Sequence, residues 1–160
     1  MLYRWFLNRS VTAKRYLFLE YDCLCTADAA SAYSEVWDAD VAARDLYLPG
    51  QGQDTQCGQD VPREWYHFRE IERLLPEDQP FAAALVPVAG MLFSHSGLES
   101  IVEHASRNDV FCELRLGTAA RKAGLRPVTF PASLRGTIHW DPMPSVPREP
   151  GIYHAVKAVG

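Results

Sequence analysis

The sequence predicts an α/β fold, a single mixed-sheet domain over residues 1–160, on three observations. Short apolar runs of strand length alternate with segments of helical periodicity, turn residues separate them, and no stretch repeats another. The chain has 160 residues, 48% apolar and 22% charged, the balance of one folded domain rather than a disordered or fibrous chain. A domain of this length hides roughly 70% of the surface its unfolded chain exposes, so it needs no covalent staples.

The first strand is expected over residues 15–21, where Tyr16-Leu17-Phe18-Leu19 forms a buried run ahead of Glu20 and Asp22. A helix follows from Thr26 or Asp28, either a good N-cap, to Trp37, with Ala29, Ala30, Tyr33 and Trp37 spaced for one face. Residues 41–48 read as a strand that ends at Pro49-Gly50. From 50 to 62 the polar, glycine-bearing sequence has almost nothing to bury and reads as a flexible surface loop. A helix resumes over 63–75, with Trp65, Phe68, Ile71, Glu72 and Leu75 in its stripe, and stops before Pro76.

Residues 81–88 are a continuous apolar run and suit a buried strand. Residues 94–105 form a helix capped by Ser94 or Ser96, with Leu98, Ile101 and Val102 inward. A further helix spans about 109–122 and ends at Gly124. Three short strands are expected at 126–130, 136–140 and 152–156. The proline-rich stretch 141–150 between the last two cannot be regular structure and serves as a linker.

Several function classes are disfavoured. The formal net charge is −4 and no Lys/Arg block stands out, so no nucleic-acid footprint is expected. The most apolar window, around 81–93, is broken by Pro87 and Gly90 and is too short to span a membrane. Residues 1–6 do not lead into a signal-type apolar run, and the chain is read as cytoplasmic, with Cys23, Cys25, Cys57 and Cys112 as reduced thiols. Their spacing builds neither a CxxC pair nor a Cys/His zinc motif.

Three features can carry chemistry. In extended geometry Glu20 and Asp22 point to the same side and can share one hard divalent cation such as Mg²⁺ or Mn²⁺. In open α/β sheets ligands bind beyond the carboxyl ends of strands, where this pair falls. Near the other end, Ile152-Tyr153-His154-Ala155-Val156-Lys157 offers an imidazole for the metal and an ammonium for a phosphate, provided the chain turns after His154. Glu113 stands in the first turn of the helix at 109–122, where the helix dipole favours a carboxylate, and can act as a general base if it lines a cleft. The plainer alternatives are a polar strand end, a solvated histidine and lysine, and a helix-start acid paired with Arg115 or Arg107. Trp65, Tyr66, His67, Phe68 and Trp140 are candidates for sugar stacking, although core packing accounts for Trp65 and Phe68; Arg135, His139 and Trp140 are weaker candidates.

The order of these parts resembles bacterial nucleotide-diphospho-sugar transferases with the glycosyltransferase A fold, over about residues 15–157. Glu20-Tyr21-Asp22 stands where that family has its Asp-x-Asp type motif, and His154 in Tyr-His-Ala-Val-Lys resembles the late histidine that completes the metal site. The resemblance implies Mn²⁺ or Mg²⁺ at Asp22 and His154, donor contacts from Glu20, Asp22 and Lys157, and Glu113 as the catalytic base toward a glycan acceptor. Only 19 residues precede Glu20, whereas such transferases bind the nucleobase and ribose with roughly a hundred residues ahead of the motif. The expectation is therefore the C-terminal part of such a fold, truncated ahead of residue 1 and weakly active alone, with a homo-oligomer or second chain covering the gap. The alternative is a non-catalytic α/β module that binds a partner protein or a glycan and keeps the acidic pair as a remnant.

Overall fold

The computed structural model describes residues 2–8, 10, 12–20, 23–50, 66–139 and 149–154. Within them the fold is α/β, with two mixed sheets and flanking helices. The larger sheet has four strands in the order β1 (Arg15–Phe18), β4 (Ala84–Ser94), β3 (Val41–Tyr47) and β5 (Val128–Thr129). β4 is antiparallel to both β1 and β3, while β5 runs parallel to β3. The smaller sheet has the order β2 (Leu24–Cys25), β7 (Ile152–Tyr153), β6 (Ile138–His139), antiparallel and then parallel.

Both faces of the large sheet are covered, which explains why the central strand β4 is almost wholly apolar and why β3 opens on the apolar run Val41-Ala42-Ala43. Val41, Ala43, Leu85, Met91 and Phe93 face one core, filled by Leu98, Ile101, Val102 and Ala105 from α3 (His95–Ala105) and by Leu116, Ala119 and Ala120 from α4 (Cys112–Lys122). Phe6 from α1 (Leu2–Leu7) packs into the same core. Ala42 and Leu92 point the other way, toward Tyr33, Val36, Phe130, Leu134 of α5 (Ala132–Gly136), Ile138 and Ile152. The alternation of neighbours between the two cores follows from the two-residue period of a strand.

Ser94 ends β4 and begins α3: its hydroxyl accepts from the Gly97 amide at 2.8 Å and donates to Asp40 Oδ1 at 2.6 Å. Leu98, Ile101 and Val102 are buried as their spacing predicts. The helix at 109–122 begins later, at Cys112, and is followed by Gly124 at φ +74°, the left-handed turn that a glycine supplies most readily.

Elsewhere tertiary packing changed the expected elements. The run Tyr16 to Leu19 is not a fully buried strand: among the described residues β1 is an edge strand paired to β4 alone, so within the run only Tyr16 is buried and Leu19 is 37% exposed. The helix expected from 26 or 28 to 37 is a single turn, α2 (Ala29–Ala32), capped by Asp28 and followed by a 3₁₀ turn at Ser34–Val36. The break at Tyr33 lets both Tyr33 and Val36 bury into one core and leaves Trp37 partly exposed. The segment expected to be helical over 63–75 is 3₁₀ over Tyr66–Arg73, with Leu74 rather than Leu75 most buried. β4 does not stop at Val88 but continues to Ser94 through an irregularity: Ala43 faces Met91 and Asp45 faces Val86, so residues 87–90 oppose Arg44 alone. α1 and α5 were not expected from periodicity because each is too short to show one. The loop at 51–62 and most of the 141–150 linker lie outside the described residues. Among the described residues, no helix is long and apolar enough to cross a membrane.

Candidate functional site: a carboxylate, thiol and imidazole cluster

Glu20 lies two residues beyond β1, beside the irregular part of β4. Gly90 is what allows these strands to approach there. It sits at φ +102°, and a Cβ on it would stand 2.8 Å from Leu19 Cδ2 and 2.9 Å from the Phe18 carbonyl oxygen. A side chain at that position would collide with the backbone that carries Glu20 to the surface.

Two constraints bring Cys23 to the same place. Its amide donates to the Glu20 carbonyl at 3.0 Å, which sets the two residues side by side. It also leads into β2, whose antiparallel register pairs Leu24 with Tyr153 and Cys25 with Ile152. One further step of that register sets Cys23 opposite His154, and directly opposed side chains of an antiparallel pair stand close enough to interact. The amide of His154 donates to the His139 carbonyl at 3.0 Å, so the small sheet holds the histidine backbone from its other side as well.

The side chains then converge. His154 Nε2 is 3.0 Å from Glu20 Oε2, and one ligand atom each from Glu20, Cys23 and His154 lies within 4.8 Å of the other two. Glu20 Oε2 is sealed from solvent yet accepts no hydrogen bond from the described residues; its contact with the imidazole has the distance of one without the alignment. A shielded carboxylate oxygen without a hydrogen bond costs free energy that a positive charge in the cluster would offset.

Glu113, in the first turn of α4, belongs to the same neighbourhood. Burial pushes its carboxyl up from the usual glutamate range to about 7, and the negative charge of Glu20 adds to the rise. This reverses the expected effect of the helix dipole: loss of hydration outweighs a favourable helix end when a carboxylate is partly buried beside another acid. The expected local partners are engaged elsewhere, Arg107 with Glu103 and Arg115 with Asp109 and the Val110 carbonyl. Beneath the cluster Tyr33 is fully buried, and its phenol is pushed upward by that burial, with Cys25 and Cys23 contributing.

Of the residues singled out by sequence, Glu20, His154 and Glu113 are thus gathered into one region, although they come from β1, β7 and α4. Asp22 and Lys157, with Trp65 and Trp140, lie outside the described residues. Arg135 is structural: it donates to the Phe130 and Arg44 carbonyls and to Asp45. His139 stacks on Tyr153 and shields Gly151. Phe68 packs beside the buried cluster of Leu74, Ala82, Val110 and Leu114. His67 lies flat on Phe111, with ring centroids 3.6 Å apart, at the residue that precedes α4.

Cys23 is the residue that sequence reasoning missed, because its metal-type partner is distant in the chain and joined to it only by strand register. The available signal was its place directly after Glu20-Tyr21-Asp22. No protein family, no curated protein and no solved structure matches the chain significantly.

Proposed function

We propose that the chain is a glycosyltransferase-like domain that transfers a sugar from a nucleotide-diphospho-sugar donor to a glycan acceptor, with a divalent cation at Glu20 and His154. The observation that supports this most is the meeting of Glu20, His154 and Glu113, three groups with complementary roles from separate stretches of the chain. An oxygen and an imidazole nitrogen suit Mn²⁺ better than Mg²⁺, which prefers an all-oxygen shell. Asp22, two residues after Glu20, and Lys157, three after His154, are assigned the further metal and diphosphate roles by the family resemblance alone.

The cation, when bound, would offset the charge that develops on the departing nucleoside diphosphate. Glu113, with its carboxyl near neutrality, accepts the proton of the acceptor hydroxyl. The hydroxyl oxygen bonds to the anomeric carbon as the bond to the diphosphate oxygen breaks, and that electron pair leaves with the diphosphate. Glu20 and His154 are positioned by the end of β1 and by the small sheet.

Isothermal titration of the full chain with Mn²⁺ and UDP-sugars tests the scheme. Glu20→Gln and His154→Ala are each expected to weaken Mn²⁺-dependent donor binding at least tenfold, about 1.4 kcal/mol. Metal-dependent binding that survives both substitutions together removes these residues from the site. Absence of any metal-dependent nucleotide binding in the wild type leaves the non-catalytic module as the better account.

A further inference from the structure

We infer that Cys23 is a third protein ligand of the cation site and that its sulfur makes the site select thiophilic divalent ions, of the Zn²⁺, Co²⁺ and Cd²⁺ kind, over Mg²⁺. The inference rests on the reading of Glu20 and His154 as a cation site and adds a ligand which that reading does not need.

Three observations carry it. Cys23 Sγ falls in the same 4.8 Å cluster as the Glu20 carboxylate and a His154 ring nitrogen. The backbone that carries it is placed twice over, by the hydrogen bond that its amide donates to the Glu20 carbonyl and by the β2–β7 register, so only the side-chain torsion is left to bring the thiol to the cluster. Cys23 is not joined in a disulfide and is only partly exposed, in contrast to Cys112, which is on the surface. Cys25 is oriented away, with its Sγ donating to the Ala27 carbonyl at 3.4 Å.

The spacing suits coordination. Oxygen and nitrogen ligands at about 2.1 Å and sulfur at about 2.3 Å from an ion stand roughly 3.0–3.7 Å from one another in octahedral or tetrahedral shells. The 3.0 Å separation of Glu20 and His154 and the 4.8 Å limit on all three therefore need only small side-chain rotations to close on one ion. A thiolate is a poor ligand for Mg²⁺ and a strong one for Zn²⁺. Three protein ligands also leave a coordination position open for a substrate oxygen.

Cobalt(II) reports sulfur ligation directly through a near-ultraviolet charge-transfer band. Titration of the full chain with Co²⁺ is expected to develop that band at one equivalent. Cys23→Ser should abolish it while calorimetry still detects Co²⁺ binding, and Cys25→Ser and Cys112→Ser should retain it. The ratio of Cd²⁺ to Mg²⁺ affinity should fall at least tenfold in Cys23→Ser. Binding of Co²⁺ without the band, or a band that persists in Cys23→Ser, overturns Cys23 as a ligand and leaves the Glu20–His154 site standing. Failure of the wild type to bind Co²⁺, Cd²⁺ or Mn²⁺ overturns both.

Discussion

Glu113 carries a structural cost and, in the function proposed above, the role of base. Its carboxyl titrates near 7 in the folded chain, against an ordinary value of 4.5. The folded state thus holds a proton that the unfolded state has already released, and stability falls as pH rises from about 4.5 to 7. At pH 8 the metal-free chain carries a penalty of roughly 2–3 kcal/mol from this group. Glu113→Gln is expected to remove most of that penalty: urea unfolding at pH 8 should show a more stable variant, and the gap should close near pH 4. On the proposed function, the same substitution should abolish transfer, because an amide accepts no proton. In the wild type, transfer should rise through pH 7 as the base ionises, and a bound cation near Glu20 should move that inflection downward by cancelling the charge that raises it. A variant that is no more stable at pH 8 than at pH 4, relative to wild type, would show that the carboxyl is better hydrated than its surroundings suggest.

At the scale of elements, two glycines fix how the helices meet the sheet. A Cβ on Gly117 of α4 would stand 2.2 Å from the Ala83 carbonyl oxygen, and one on Gly97 of α3 would stand 2.3 Å from the Asp40 carbonyl oxygen. Backbone is the obstacle in both cases, so neither helix can accept even a methyl group without moving. Gly117→Ala should therefore cost about 1–3 kcal/mol in urea unfolding, in spite of the helix propensity that alanine adds. Gly117 also follows Glu113 by four residues on the same face of α4, so the displacement should lower transfer more than a change in stability alone explains. At the start of α3, Ser94→Ala loses the bond to the Gly97 amide and the contact with Asp40; thermal unfolding should reveal a loss of about 1 kcal/mol, with the Glu20–Cys23–His154 cluster intact. Retention of wild-type stability by Gly117→Ala would mean that α4 packs more loosely on the sheet than this geometry requires.

Across the whole molecule, a buried acid ties together segments that the sheet does not. Asp78, 1% exposed, pairs with Lys122 at the end of α4 and accepts from Asn108 Nδ2 at 2.6 Å, while Asn108 Oδ1 accepts from the Leu75 amide. Burial alone would raise the Asp78 carboxyl, but Lys122, Asn108 and His104 together carry it below its ordinary value. A lowered folded value contributes stability that is present above the ordinary aspartate range and lost as pH falls through the folded value. Lys122→Met strands this carboxylate and should cost about 3–5 kcal/mol at pH 7, with the acid-unfolding midpoint by circular dichroism moved to higher pH. Glu113 acts in the opposite direction above pH 4.5, so the combined contribution of these two groups is most favourable on the acid side of neutrality.

The sequence by itself determined the α/β class, β3, the inner face of α3 and its cap to within Ser94 or Ser96, the end of α4 and three of the four residues now found around the cluster. These are local properties: strand and helix periods, capping chemistry and glycine after a helix depend on neighbours along the chain. Tertiary structure alone decided that β1 is an edge, that the helix after Asp28 breaks at Tyr33, and that the strands divide into two sheets, because each depends on which distant surface is available to bury an apolar side chain. It also decided the make-up of the cluster. Glu20, Glu113 and His154 could be proposed one by one from residue type and position, but their meeting required β1, α4 and β7 to be packed. For Cys23 the sequence offered only its place directly after Glu20-Tyr21-Asp22; its pairing with His154 came from the β2–β7 register, since strand pairing is a long-range contact that no local spacing encodes.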